Sequence, residues 1–199
     1  MAHERLKREN IVELTREFSH RFTYLEDSPN IANFRQADHQ RPETLLPFWG
    51  ATVALGQALM RRVPATDNPS ALIVCIPRGA YPFAEGARTI IPHADVLVTN
   101  DGGLRTDGPL IPDGVPIRQV GTLVIADPVL DTGATLDRTL AGLDRRIERD
   151  RLIMLSVISH PDTARRVLQQ YPDLHLITAD TEDKFIPAPD GRGRHRGHC

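Results

Sequence analysis

Four short apolar runs stand out in the chain beyond residue 70. They read ALIVCI at 71–76, TLVIA at 122–126, LIMLSVI at 152–158 and LHLIT at 174–178. Each run is almost continuously apolar instead of alternating with polar side chains, which is typical of strands buried on both faces of a sheet. The sequence therefore predicts four core strands of a parallel sheet.

Helical patterns separate the last three runs. Between the second and third runs, apolar residues recur at spacings of four, three and four, at Leu136, Leu140, Leu143 and Ile147, which is the period of one helix face. Before the last run, the stretch PDTARRVLQQ predicts a helix that begins with a first-turn proline. Strands that alternate with helices predict an α/β fold in which a parallel sheet carries helices on both faces.

The first third of the chain has a different pattern. Residues 4–22 and 42–62 predict two helices, and the polar stretch DSPNIANFRQADHQRP between them predicts irregular structure. We expect these helices either to cover the sheet or to pack against another subunit. Because no internal repeat or domain boundary is visible, the chain is predicted to form one domain, with a helical extension at 1–65 and an α/β core at 71–180.

Composition narrows the function classes. The chain has 199 residues and a formal net charge of −2, so the sequence offers no electrostatic case for a nucleic-acid or membrane-surface binder. It has no apolar run of the ~20 residues that span a membrane and no apolar signal segment at its start, and we expect a cytoplasmic protein. The two cysteines and eight histidines show no metal-ligand spacing, so no residue is assigned to a metal.

The candidate chemistry lies in VIADPVLDTGAT at 124–135. An apolar strand ends at Asp127, a short turn follows, and a helix begins near Thr135, which places the turn where open α/β sheets bind ligands. Small residues allow backbone amides to approach a phosphate closely, and the helix N-terminus adds N–H donors. Thr132 and Thr135 add hydroxyl groups, and Asp127 is placed to accept hydrogen bonds from sugar hydroxyls or to meet a metal through water. The stretch is neither a Walker A nor a Gly-x-Gly-x-x-Gly motif.

This stretch resembles the phosphoribosyl pyrophosphate (PRPP) motif of type I phosphoribosyltransferases, and the proline after the first acid is similar to the uracil phosphoribosyltransferase branch. Two further segments resemble that family: residues 76–80, similar to its pyrophosphate loop, and residues 156–183, similar to its strand–helix–strand unit. The residues that carry the PRPP motif are Asp127, Pro128, Val129, Leu130, Asp131, Thr132, Gly133, Ala134 and Thr135.

The resemblance implies a function and a cofactor. It implies a phosphoribosyltransferase that moves the 5-phosphoribosyl group from PRPP to a nitrogen of a nucleobase or related heterocycle, with Mg²⁺ bound through the substrate pyrophosphate. Residues 127–135 would bind PRPP, with Asp127 on the ribose hydroxyls. Arg78 would hold the departing pyrophosphate, and Arg105 is a second candidate contact to it. The resemblance also implies a homodimer, and the apolar helix at 42–62 is the expected interface.

The family's acceptor pocket would be closed by a small C-terminal hood, here at 181–199, with acceptor contacts from Phe185, Ile186 and Asp190. The segment FIPAPD at 185–190 is shorter than its counterpart in the uracil branch, and it has prolines or alanine where glycines are expected. Because proline has no N–H to donate, the hydrogen-bond pattern that reads uracil is not reproduced unchanged. We therefore expect uracil to be a poor substrate, and the sequence identifies neither the acceptor nor the pathway.

The sequence leaves alternatives open for the role of Asp131 and for the function of the protein. Asp131 stands where purine-type members carry an aspartate facing the base, so it is either a catalytic base or a solvent-facing loop carboxylate. The arginines of the tail GRGRHRGHC are expected to belong to a solvated terminus. Two other functions compete with transfer: a regulatory protein of the same fold that binds a nucleotide without turnover, and an unrelated phosphate-ester binder or hydrolase with Asp127 as a metal ligand.

Overall fold

The computed structural model describes residues 2–25, 29–35, 42–64, 70–77, 80–99, 118–143 and 146–182. In chain order its elements are α1 (Ala2–Glu17), β1 (Phe22–Tyr24), α2 (Pro29–Arg35), α3 (Pro42–Met60), β2 (Ala71–Cys75), α4 (Ala80–Arg88), β3 (Asp95–Val98), β4 (Arg118–Ala126), β5 (Val129–Leu130), α5 (Ala134–Leu143), β6 (Ile147–Ser159), α6 (Pro161–Gln170) and β7 (Leu174–Thr181). None of the described helices combines the length and the hydropathy needed to cross a membrane.

The strands form one seven-stranded sheet in the order β1-β7-β6-β4-β2-β3, with β5 pairing the end of β6. Every pair is parallel, so all carboxyl ends lie at one edge of the sheet. The four predicted core strands are β2, β4, β6 and β7, and they are adjacent members of this sheet. The predicted α/β class with a parallel sheet is confirmed.

Helices cover both faces of the sheet, as predicted. Along β4, Leu123 and Ile125 pack with α1, α5 and α6, whereas Val124 and Ala126 pack with α2, α3 and α4. Successive strand residues point to opposite faces, and because both faces meet a helix layer the strands are continuously apolar. The helices of the first third therefore cover the sheet, which settles one of the two roles expected for them.

The first third also contains elements that the sequence analysis missed. Phe22, predicted at the end of a helix, instead begins β1, which pairs with β7 at the edge of the sheet. The stretch predicted to be irregular contains α2, whose Ile31 and Phe34 are buried. The Phe34 ring stacks on Phe48 of α3 with ring centroids 5.3 Å apart. Two large apolar residues in a seven-residue helix are too few to establish a period, and for that reason the pattern was not visible.

The helix predicted to reach Ile147 ends earlier. α5 ends at Leu143, and Ile147 is the first residue of β6. Both side chains are buried in the same core cluster, so Ile147 extends the apolar spacing without extending the helix. The prediction for this residue was wrong because burial against a common core imitates helical periodicity over one turn.

Helices α3 and α4 approach each other backbone to backbone. A Cβ atom on Gly56 would overlap the carbonyl oxygen of Phe83, and a Cβ atom on Gly86 would overlap the carbonyl oxygen of Val53. Both glycines are therefore required by the close approach of the two helices.

A buried carboxylate joins the amino-terminal extension to the end of β7. Asp180 is fully buried, and its Oδ1 lies 2.6 Å from Nζ of Lys7 in α1. Its Oδ2 pairs with the guanidinium of Arg35 in α2, which also lies 3.6 Å from the carboxylate of Glu182. Two cations from the extension thus neutralise the acidic end of β7. The hood and tail predicted at 181–199 fall almost wholly outside the described residues, so the predicted division at 1–65, 71–180 and 181–199 stays a prediction.

Candidate functional site

The carboxyl ends of β2, β3 and β4 meet at one edge of the sheet. Cys75, the last residue of β2, pairs in register with Ala126, the last residue of β4, and Ile76 N donates to Ala126 O at 3.1 Å. On the other side of β2, Thr99 N donates to Cys75 O at 3.1 Å. The segment that leads to Arg78 therefore begins beside Asp127, although Arg78 itself lies outside the described residues.

Asp127 is the carboxylate that directly follows β4 at this edge. Its Oδ1 accepts a hydrogen bond from Val129 N at 3.2 Å, and its own N donates to Leu155 O at 3.2 Å. Desolvation raises the pKa of Asp127 to about 7, and the hydrogen bond from Val129 only partly opposes that shift. Near neutral pH this carboxyl group is therefore poised between its acid form and its ionised form.

Cys75 lies beside this carboxylate. Burial, together with the smaller effect of the negative charges of Asp127 and Glu85, raises the pKa of its thiol to about 12. A thiol with such a pKa stays protonated at neutral pH and is a poor nucleophile. Cys75 is therefore a core residue at the end of β2.

Residues Pro128, Val129 and Leu130 tie the loop to β6. Pro128 O accepts from the backbone N of residues 157 and 158 at 2.9 and 3.0 Å, and Leu130 is 2% exposed. Leu130 O accepts from His160 N at 2.8 Å. The backbone of these residues thus holds the loop in place, and their predicted contacts with PRPP stay predictions.

The turn after β5 presents a set of donors. The first hydrogen bond of α5 runs from Asp137 N to Gly133 O at 2.9 Å, so the N–H groups at the start of the helix have no intrahelical acceptor. Thr132 is exposed, and its Oγ1 accepts from Ala134 N at 3.4 Å. Asp131, Ala134 and Thr135 are partly exposed. The turn therefore carries backbone N–H and hydroxyl groups at the start of α5, and its predicted contact with a phosphate stays a prediction.

The turn requires a glycine at position 133 for a reason other than the expected close approach to a phosphate. Its φ is +74°, a conformation that favours glycine. A Cβ atom here would overlap the guanidinium of Arg166 and lie 3.1 Å from Cγ2 of Thr163 and 3.3 Å from Cγ1 of Val167. The missing side chain therefore faces α6, so the glycine serves the turn and its packing and does not open space on the ligand side.

The residues that hold this turn lie on α6, outside the predicted motif. Thr163 Oγ1 donates to Asp131 O, and the Arg166 guanidinium donates to Thr132 O at 3.1 Å. Asp137 pairs with Arg166 at 3.1 Å and accepts from the Tyr171 hydroxyl at 2.8 Å. Nothing in the spacing of these residues announces the contact, because it forms only when α6 packs against α5.

Five of the predicted site residues lie outside the described part of the chain, so the structure does not place them relative to Asp127. Among the described residues, no group of three or more His, Cys, Asp or Glu side chains is placed to hold a metal ion. The five residues are Arg78, Arg105, Phe185, Ile186 and Asp190.

Comparisons with known proteins agree with this geometry. The family model for uracil phosphoribosyltransferase matches residues 51–186. A uracil phosphoribosyltransferase from Halobacterium salinarum is 32% identical over 149 residues, which are 68% of this chain and 65% of the relative. A second one, from Natronomonas pharaonis, is 31% identical over 124 residues, which are 57% of this chain and 56% of the relative. The match thus spans somewhat less than two thirds of these relatives' lengths.

Solved structures share the fold at low sequence identity. The AQ2163 protein from Aquifex aeolicus superimposes with a TM-score of 0.61 at 16% identity, covering 82% of this chain and 89% of that one. Adenine phosphoribosyltransferase from Leishmania tarentolae has a TM-score of 0.54 at 16% identity, with 80% and 91% of the two chains covered. Since the family model spans more than half of the chain and takes in both Asp127 and the turn before α5, the chain belongs to the uracil phosphoribosyltransferase family.

Proposed function

We propose that this protein is a phosphoribosyltransferase, which transfers the 5-phosphoribosyl group from PRPP to a ring nitrogen of a nucleobase or related heterocycle and releases pyrophosphate. The observation that carries the proposal is that a desolvated carboxylate, Asp127, and the donor-rich turn at the start of α5 lie at the same edge of a parallel sheet. Membership of the uracil phosphoribosyltransferase family supports it.

The turn and the Asp127 carboxylate bind different parts of PRPP. The N–H and hydroxyl groups of Thr132–Thr135 bind the 5′-phosphate, because helix N-termini favour anions. When ionised, Asp127 accepts hydrogen bonds from the ribose hydroxyls, and such charge-assisted bonds are strong in a desolvated site. Asp127 is also the single carboxylate of this strand end, since Pro128 follows it. One carboxylate with substrate phosphates suits Mg²⁺ that arrives on the pyrophosphate, and that ion supplies charge neutralisation of the leaving group when bound.

The reaction needs no covalent bond between the protein and the substrate. A bond forms between the heterocycle nitrogen and the anomeric carbon as the bond from that carbon to pyrophosphate breaks, and the nitrogen gives up its proton. Orientation and fixed dipoles supply most of the rate enhancement in reactions of this kind. We propose Asp131 as the group that accepts the proton and Arg78 and Arg105 as contacts to the pyrophosphate.

The acceptor is proposed to be a heterocycle other than uracil, bound by Phe185, Ile186 and Asp190. The prolines at 187 and 189 support this, since they cannot donate the backbone hydrogen bonds that a pyrimidine edge requires.

We also propose a homodimer in the cytoplasm, in which α3 lies at the interface. Part of the apolar surface of α3 is used within the chain, because Phe48 is buried against α2. Trp49 stays 54% exposed, which supports a contact with a second subunit.

One assay tests the function: release of pyrophosphate from PRPP and Mg²⁺, measured against a panel of nucleobases and other nitrogen heterocycles. Wild-type protein is expected to turn over with at least one acceptor, and Asp127→Asn to lose ~10²-fold or more in kcat/KM. Asp173→Asn is the matched control, because Asp173 precedes β7 at the amino-terminal ends of the strands, opposite the end that carries Asp127, and its carboxylate pairs with Arg149 at 3.2 Å. Nucleotide binding without turnover would instead favour the regulatory alternative, and no binding of PRPP would contradict both.

A further inference from the structure

We infer that Thr163 and Arg166 of α6 are positioning residues for the 5′-phosphate, which act by fixing the direction of two backbone N–H groups in the turn before α5. The inference rests on the proposed function, because it assigns a task to the phosphate-binding part of that site. Neither side chain belongs to the PRPP motif, and both reach the turn from an element that follows it in the chain.

Thr163 fixes the first of the two peptide planes. Its side chain is buried, at 8% exposure, and its hydroxyl donates to Asp131 O. In a trans peptide the C=O of one residue and the N–H of the next point in opposite directions. Because the carbonyl of Asp131 is held toward α6, the N–H of Thr132 points away from α6.

Arg166 fixes the second plane in the same way. Its guanidinium donates to Thr132 O at 3.1 Å, so the N–H of Gly133 also points away from α6. The guanidinium is itself held by Asp137 at 3.1 Å and by Gln170 Oε1 at 2.5 Å. It occupies the place that a Cβ atom on Gly133 would need. A planar guanidinium with several fixed donors is suited to hold a carbonyl in one orientation.

Within the described residues, neither Thr132 N nor Gly133 N donates to a protein acceptor. Two adjacent N–H groups that point the same way form a concave site for an anion. The carbonyl oxygens of the same peptides, which would repel a phosphate, are turned toward α6 by these two side chains.

Arg166 also carries a charge, which would attract a phosphate without any role in orientation. Thr163 is neutral, so it separates the two explanations. If orientation is what matters, removing the hydroxyl of Thr163 weakens phosphate binding as removing the guanidinium does. If only the charge matters, the Thr163 variant binds phosphate like the wild type.

The experiment compares two variants with two matched controls by calorimetry, using ribose 5-phosphate and Mg²⁺-pyrophosphate as separate probes. The variants are Thr163→Val and Arg166→Gln. The control Thr163→Ser keeps the hydroxyl. The control Arg165→Gln removes the neighbouring arginine, whose guanidinium faces α1 and pairs with Glu13 and Glu17 at 3.3 and 3.1 Å.

Both variants are expected to bind ribose 5-phosphate about tenfold more weakly, the scale of one well-placed hydrogen bond, and to bind pyrophosphate within about twofold of the wild type. Both controls are expected to bind both probes within the same twofold margin. With PRPP as substrate, KM should rise in the two variants while kcat changes little, since bound substrate is still aligned by Asp127.

Three results would overturn the inference: unchanged ribose 5-phosphate binding in Thr163→Val, an equal loss for both probes, or an equal loss in Arg165→Gln. An equal loss for both probes with a lowered melting temperature would show that α6 only supports the fold. Failure of the proposed function is distinguishable, because wild-type protein would then release no pyrophosphate from PRPP with any acceptor, whereas failure of this inference alone leaves wild-type turnover intact.

Discussion

Replacing Asp127 with asparagine is expected to make the protein more stable above neutral pH, at the expense of activity. The pKa of Asp127 is raised from 3.8 to about 7 by desolvation, so the folded protein holds a proton that the unfolded chain releases between these pH values. The wild type therefore loses stability as pH rises from about 4 to about 7. Each pKa unit is worth about 1.4 kcal/mol, and the shift of roughly three units sets a ceiling of about 4 kcal/mol.

Asparagine removes this penalty and keeps the contact that shapes the loop. Its side-chain oxygen can accept the hydrogen bond that Val129 N donates to Asp127 Oδ1, and it does not ionise. The stability difference between Asp127→Asn and the wild type should therefore grow in favour of the variant by at most about 3 kcal/mol between about pH 5 and about pH 8.5. Urea unfolding of ligand-free protein at the two pH values measures this change directly.

Asp173→Asn is the control, since it removes a carboxylate that is 52% exposed and lies far from Asp127. The reasoning is refuted if the difference between Asp127→Asn and the wild type stays constant across this range. It is also refuted if the wild type gains stability relative to the variant as pH rises, because the Asp127 pKa would then lie below its ordinary value in the folded protein.

Three further outcomes are expected. Gly86→Ala should destabilise the protein in thermal melts by about 1–3 kcal/mol, because its methyl group meets the carbonyl of Val53. The control Gly50→Ala should be neutral or stabilising by up to about 1 kcal/mol, because no atom lies within 4 Å of its Cβ. The pKa of His175 is lowered by burial first and then by the charges of nearby arginines. The wild type should therefore lose stability as pH falls below about 6.5, and His175→Gln should lose less over the same range. Equal losses of stability in the two proteins on acidification would contradict this. Uracil should give a kcat/KM below ~10⁴ M⁻¹s⁻¹ in steady-state assays, and a higher value would return the protein to simple uracil salvage.

The centre of the fold was predictable because its strands are buried on both faces. A continuous apolar run such as that of β4 leaves little other interpretation. Edge strands lack that signature: β3 has exposed side chains at Val96 and Val98, and β1 has only three residues. Ile147 shows the opposite difficulty, since a buried residue that continues a helical spacing belongs to the next strand.

The candidate site was predictable as far as it is local in sequence. Asp127 and the turn before α5 are a strand end and a helix start, and both can be read from adjacent residues. The contacts of Thr163 with Asp131 and of Arg166 with Thr132 join residues 32 and 34 positions apart. They depend on how α6 packs, which no spacing in the chain encodes. The turn that contains Gly133 was therefore predictable, but the Arg166 side chain that packs against Gly133 was not.

The pairing of β1 with β7 has a consequence for how the chain folds as it is synthesised. Phe22 is in register with Leu176, and Lys7 and Arg35 pair with Asp180, so residues made earlier are stabilised by residues that are made much later. Until the ribosome has released β7, β1 lacks its partner strand and α1 lacks part of the surface on which it packs, while β2, β4 and β6 already have their neighbours. Such long-range closure slows folding, and we expect the amino-terminal segment to be the last to gain protection from hydrogen exchange.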